Sequence, residues 1–155
     1  MIKRIEVFDC DGVLVCSQHR YRNKPDGTID LDYWIENRTP EKIARDTLLP
    51  HAKRYMASNA DPEVYTVICT SRVWNVHDIE YIVGYLGAPD KLIMRPVDNF
   101  EGDAILKVRE LKRLFNLKQF RLLPRFLWED NKKNINALRD MFTLCYYVDS
   151  NQGVK

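Results

Sequence analysis

Asp9 and Asp11 stand one residue apart where an apolar run ends, in Val7-Phe8-Asp9-Cys10-Asp11-Gly12-Val13, and no other stretch of the chain is better suited to chemistry. Carboxylates at the mouth of a buried strand are costly unless a charge compensates them. In open parallel sheets, ligands bind outside the carboxyl ends of the strands, which is where this pair falls. An oxygen-ligated cation would supply the charge, and the lack of soft ligands favours magnesium. The bland alternative is a turn with two solvated acids. It loses ground because two more clusters repeat the pattern. Val67-Ile68-Cys69-Thr70-Ser71-Arg72 ends in two hydroxyls and a guanidinium, groups that suit phosphate oxygens. Phe126-Leu127-Trp128-Glu129-Asp130-Asn131 ends in two further acids. Each alone is an ordinary polar turn, but together they line one edge of one sheet with matched chemistry.

Positioning them requires that sheet. Short apolar runs alternate with amphipathic stretches, which predicts parallel strands flanked by helices. Five strands are expected, at residues 2–8, 64–69, 91–94, 125–128 and 144–148. Asn75 is placed to cap a helix whose face is Ile79, Ile82, Val83 and Leu86, with Gly87 as its stop. Ile105, Val108, Leu111 and Phe115 make a second helical face, and Ile135, Leu138 and Phe142 a third. Pro50 suits the first turn of a helix carrying Ala52, Tyr55 and Met56. The expected fold is α/β: a three-layer α/β/α Rossmann-like sandwich around a parallel sheet of about five strands. With 155 residues, 45% hydrophobic and 30% charged, the chain suits one globular domain. Residues 16–40 resist the pattern, with turn signals at residues 23–27 and no sustained helical stripe. They are expected to form either a flap, acting as a minimal cap, or a plain surface excursion.

Other features exclude more than they assign. The four cysteines form no C-x-x-C pair, and Cys10 reads as a structural thiol. His19, His51 and His77 lack metal-ligand spacing. No apolar run could span a bilayer and no secretory leader opens the chain, so no membrane role is expected and a cytoplasmic location is. A net charge of +2 does not mark a nucleic-acid binder. Locally, Arg20, Arg22 and Lys24 in the flap could contact an anionic polymer, whereas Arg109, Lys112 and Arg113 are read first as a solvated helix face. Tyr21, Tyr33, Trp34 and Trp74 could stack on a base, although packing is the ordinary role of any one of them. The chain holds no G-x-x-x-x-G-K-(S/T) loop, so kinase chemistry is not expected.

On these residues the sequence resembles the haloacid dehalogenase-like hydrolase superfamily, most of whose members are magnesium-dependent phosphatases. Asp9-x-Asp11-Gly12-Val13 resembles the first motif of that superfamily, Thr70 the second, Lys107 the third and Glu129-Asp130 the fourth. Within it, the phosphatase domain of phage and bacterial polynucleotide kinases is the nearest likeness, through Ile68 to Arg72, Met94-Arg95 and the Asp103 to Lys107 helix start. The resemblance implies that Asp9 is a nucleophile forming an aspartyl-phosphate and that Asp11 is the acid/base. It further implies that Thr70 and Lys107 hold the phosphoryl group, with Ser71, Arg72 and Arg95 as substrate-binding candidates. The implied magnesium ligands are Asp9, Asp11 through its main-chain carbonyl, Asp130 and Glu129. Glu129 stands where aspartate is usual, so it either acts through water or orients Asp130. The expected substrate is a nucleic-acid 3′-phosphate or a nucleotide, in a host cytoplasm if the protein is phage-encoded. Alternatives are a sugar phosphate or other small metabolite, and a phosphate-binding module without turnover.

Overall fold

In chain order the elements are β1 (Arg4–Phe8), β2 (Val15–Cys16), α1 (Leu31–Glu36), α2 (Pro40–Ile43), β3 (Thr47–Leu48), α3 (His51–Ala60) and β4 (Val64–Val73). There follow α4 (Val76–Leu86), β5 (Lys91–Arg95), α5 (Asp103–Phe115), β6 (Arg125–Glu129), α6 (Lys132–Leu138) and β7 (Leu144–Tyr147). They come from a computed structural model, which describes residues 1–150.

Five parallel strands form the main sheet, in the order β5-β4-β1-β6-β7. β1 lies at its centre and is buried on both faces, as the near-continuous apolar run Ile5-Glu6-Val7-Phe8 requires. One core packs Phe8, Ile68, Tyr55, Ile82 and Leu86 on the side of α3 and α4. The other packs Ile5, Val7, Val67, Leu111, Phe115 and Leu138 on the side of α5 and α6. The three-layer sandwich expected from the sequence is therefore the fold. In register, Phe8 sits opposite Ile68 on one side and Trp128 on the other, so all three chemical clusters emerge at one edge.

The differences from expectation are local. β4 does not stop at Cys69 but continues to Val73, so Thr70, Ser71 and Arg72 lie within an irregular strand end whose pairing with β5 shifts between Cys69 and Val73. In α4, the Asn75 side chain accepts from the His77 N–H, and Gly87 ends the helix at φ 87°. Its buried face, however, is Asp78, Tyr81, Ile82 and Leu86, with Val83 exposed. In α5, Leu106, Lys107, Leu111, Leu114 and Phe115 are buried while Ile105 is exposed, a face turned by one residue from the apolar stripe. Both shifts bring a charged residue inward to a partner of opposite sign, Asp78 to Arg72 and Lys107 to Asp9. Met56 of α3 is likewise exposed rather than core.

The irregular segment is more ordered than its composition predicts. β2 and β3 pair antiparallel and close it at its base, so the insert spans residues 15–48 rather than 16–40. Inside it, Asp30 caps α1 and Thr39 caps α2, each accepting a backbone N–H. Among the described residues no helix is long and apolar enough to cross a membrane.

Candidate active site

Asp9 is the first residue past β1, and its N–H donates to the Trp128 carbonyl of β6 at 2.9 Å. Its Oδ1 accepts from the Cys10 N–H at 2.9 Å and from Lys107 Nζ at 3.0 Å. Lys107 reaches it from the second turn of α5 and also donates to Glu129 Oε2 at 2.8 Å. It is 2% exposed. One ammonium is thus held between carboxylates from two neighbouring strand ends.

Beyond Asp9 the chain turns tightly, with the Cys10 carbonyl accepting from the N–H groups of Val13, Leu14 and Val15. Gly12 makes the turn possible. Its φ is +80°, and a β-carbon there would lie 2.1 Å from Asp130 Oδ2. A side chain there would have to push the Asp130 carboxylate aside. The turn therefore rests directly on Asp130, which follows β6.

Carboxylate oxygens of Asp9, Glu129 and Asp130 lie within 4.8 Å of one another. With Lys107 as the one ammonium hydrogen-bonded among them, the cluster would carry two surplus negative charges once all three carboxyls are ionised. Burial pushes the Asp9 carboxyl well above the ordinary carboxylate range, against the pull of Lys107, and nearby Glu129 raises it further. Burial also pushes Asp130 up to about 6. In Glu129 the balance reverses, and Lys107 holds it below its usual value despite burial. Lys107 stays protonated, because its two carboxylates outweigh the burial that opposes its charge. A set of oxygen donors with surplus negative charge and no sulfur or imidazole fits a hard divalent cation of the magnesium kind.

The remaining candidates divide. Thr70 is 1% exposed, and its hydroxyl oxygen accepts the Arg72 N–H at 3.2 Å, which leaves its proton to donate elsewhere. The Asp11 side chain turns away from the carboxylate group. It accepts Ser17 Oγ at 2.7 Å and a two-pronged contact from Arg72, at 2.8 Å from Nε and 2.6 Å from Nη2. Those partners outweigh its burial and hold its carboxyl below the ordinary range.

Arg72 and Arg95, the substrate-binding candidates, both have partners within the protein. Arg72 spends its donors on Asp11, Asp78 and Asp46. Arg95 pins the loop before α5, donating to the Ser71 carbonyl, Asn99 Oδ1, the Glu101 carbonyl and Asp103 Oδ1. Ser71 Oγ is buried without a partner among the described residues. Of the aromatics considered for stacking, Trp34 lies under the Arg20 guanidinium at 4.3 Å and Tyr33 under that of Arg22 at 4.3 Å. Asp46 and Asp78 belong to no motif and share no periodicity, so neither was legible before the fold. Arg20 was visible only as one of several basic residues in the insert.

A parallel sheet in this order, with acids leaving its central strand and the strand beside it, is the fold of haloacid dehalogenase-like hydrolases. The solved structures it resembles agree. A chain of the Pnkp1/Rnl/Hen1 RNA repair complex superimposes with a TM-score of 0.67 at 18% identity, over 95% of this chain and 42% of that one. A haloacid dehalogenase-like hydrolase from Streptococcus pneumoniae gives 0.65 at 12% identity, over 92% and 83%. The same-fold domain of the effector Lem4 from Legionella pneumophila gives 0.54 at 16% identity, over 94% and 85%. The chain spans less than half the length of the RNA repair protein it matches. No curated protein matches its sequence. The profile of the bacteriophage T5 5′-deoxynucleotidase family does match, over residues 1–91, more than half the chain. The protein belongs to that family, and its fold is the one shared by the haloacid dehalogenase-like hydrolases it superimposes on.

Proposed function

We propose that the protein hydrolyses nucleoside 5′-monophosphates, using Asp9 as the nucleophile, in one domain capped by the insert at residues 15–48. The observation that carries this reading is the fixing of the Asp9 carboxylate by Lys107 and the Cys10 N–H, beside two more carboxylates. The substrate class rests on the 5′-deoxynucleotidase family.

In this reading an Asp9 oxygen bonds to phosphorus as the bond to the nucleoside 5′-oxygen breaks, and Asp11, which gains a proton only once the negative charge of bound substrate opposes the pull of Arg72 and Ser17, delivers it to that oxygen. An aspartyl-phosphate remains on Asp9. Asp11, now a carboxylate, takes a proton from a water that attacks phosphorus, releasing inorganic phosphate and restoring Asp9. Thr70 donates its hydroxyl proton to a phosphoryl oxygen, and Lys107 adds fixed positive charge beside it. Magnesium held by Asp9, Asp130 and the main-chain carbonyl of Asp11 would offset the repulsion between a carboxylate and a phosphate dianion. Glu129 supports the site one step back, since it accepts from Lys107 and from the Asp130 and Asn131 N–H groups.

The test is phosphate release from deoxynucleoside 5′-monophosphates, 3′-phosphorylated oligonucleotides and sugar phosphates, with magnesium and with chelator. Nucleoside 5′-monophosphates should lead in kcat/KM by about tenfold or more, equivalent to ~1.4 kcal/mol of transition-state stabilisation. Faster turnover of oligonucleotide ends would make this a 3′-phosphatase, and activity undiminished by chelator would remove the cation.

A further inference from the structure

A second buried ion cluster surrounds Arg72, joining Asp11 and Asp78 to Asp46 and Arg20 of the insert. Arg72 donates from Nε to Asp11 Oδ2, from Nη2 to Asp11 Oδ1 and to Asp46 Oδ2 at 3.3 Å, and from Nη1 to Asp78 Oδ1 at 2.7 Å. Arg20 donates to both oxygens of Asp46, at 2.8 and 2.9 Å, and lies 3.5 Å from Asp78. His19 Nε2 reaches Asp46 Oδ1 at 2.8 Å, and the Tyr81 hydroxyl donates to the Asp46 carbonyl at 2.6 Å. The Trp34 ring packs against both guanidinium groups, at 4.3 Å from Arg20 and 5.7 Å from Arg72. Arg20, Arg72, Asp46 and Asp78 are each 5% exposed or less.

Such a cluster is poor evidence of stability, since well-packed apolar side chains often serve a core as well or better. Its geometry suits another purpose. A guanidinium meeting a carboxylate by two parallel N–H bonds fixes the plane of that carboxylate as well as its position. Four of the five Arg72 N–H groups are used within the protein, which leaves little to bind a phosphate. The partners that hold Arg72 come from β4's own neighbour α4, through Asp78, and from the insert, through Asp46 and the Trp34 ring.

We propose that Arg72 is a positioning residue whose fork fixes the Asp11 carboxyl and, through Asp46 and Arg20, ties that placement to the seating of the insert on the sheet. The inference rests on the assignment of Asp11 as proton carrier. Its signature follows from leaving-group chemistry. A nucleoside 5′-oxygen is a poor leaving group that needs a proton, whereas p-nitrophenolate departs without one. The value of kcat/KM reports the steps up to that departure, so loss of Asp11 alignment should appear in kcat/KM for nucleotide and largely spare the aryl phosphate. A residue that grips phosphate would affect both alike.

The experiment compares kcat/KM for a deoxynucleoside 5′-monophosphate and for p-nitrophenyl phosphate in wild type, Arg72→Lys, Arg20→Lys and Asp11→Asn. It also records inhibition by inorganic phosphate and the melting temperature of each variant. Arg72→Lys should lose about 100-fold or more on nucleotide and less than about tenfold on the aryl ester, with phosphate inhibition nearly unchanged. Arg20→Lys should show the same asymmetry at smaller amplitude. Equal losses on both substrates with weakened phosphate inhibition would make Arg72 a phosphate ligand and overturn the proposal. An Arg20→Lys variant without asymmetry would overturn the link to the insert. If Arg72→Lys does not fold, Asp46→Asn replaces it under the same two criteria. The underlying function fails separately: turnover surviving in Asp9→Asn removes the nucleophile whatever the asymmetry, and Asp11→Asn without asymmetry removes the proton carrier on which the proposal depends.

Discussion

Single residues decide whether the acids can meet. Gly12 lets the turn after β1 rest on Asp130, by its positive φ and by its lack of a side chain. Gly12→Ala should destabilise the fold by about 1–2 kcal/mol from the left-handed backbone alone. The added methyl should also displace Asp130, so the magnesium concentration giving half-maximal activity should rise. Thermal melts and a magnesium titration of turnover check both effects, and an unchanged titration would mean that Asp130 is not a ligand. Asp9, Asp11 and Gly12 stand out in the sequence because they share one stretch at a strand end, and Asp130 because it closes another apolar run in the same way. The partner of Asp11 does not. Arg72 could be read as a cation near phosphate, but its capture by Asp46 and Asp78 depends on residues brought together only by folding.

At the scale of elements, the strands could be read to within a few residues because buried parallel strands are apolar runs bounded by polar turns. Helix faces were harder. The apolar stripe of α5 pointed to Ile105, yet the helix buries Leu106 and Lys107, because an ammonium between two carboxylates outweighs one isoleucine at the solvent edge. The same competition buries Asp78 of α4. The two short strands that close the insert, β2 and β3, are two residues each and leave no periodic signal. Because α5 is tied to β1 and β6 through Lys107, Lys107→Met should destabilise the protein by roughly 3–5 kcal/mol near neutral pH. The loss should shrink at acid pH, where the unpaired carboxyls of Asp9 and Glu129 take up protons. Denaturant midpoints at pH 5 and pH 8 measure it, and equal losses at both would contradict the brace.

For the whole molecule, the sheet gathers carboxylates whose repulsion the fold must tolerate. Burial raises Asp9 and Asp130, the latter to about 6, so the folded protein holds these protons more tightly than the unfolded chain does. Stability from Asp130 is therefore present below the ordinary carboxylate range and is lost as pH rises through about 6. Without divalent cations, these groups should lower the melting temperature between pH 5 and pH 7. Magnesium binds the deprotonated carboxylates, so it should raise the melting temperature more at pH 7 than at pH 5. A magnesium shift that is absent, or equal at the two pH values, would contradict the assignment of this cluster to a cation.

The central claim is that Asp9 forms a bond to phosphorus. Rapid acid quench of the protein during turnover of a phosphate-labelled deoxynucleoside 5′-monophosphate, followed by peptide mass spectrometry, measures this directly. Label should appear as an acyl phosphate on Asp9 at a rate no slower than turnover, and it should be absent from Asp9→Asn. Turnover by Asp9→Asn at the wild-type rate, or label on another side chain, would contradict it.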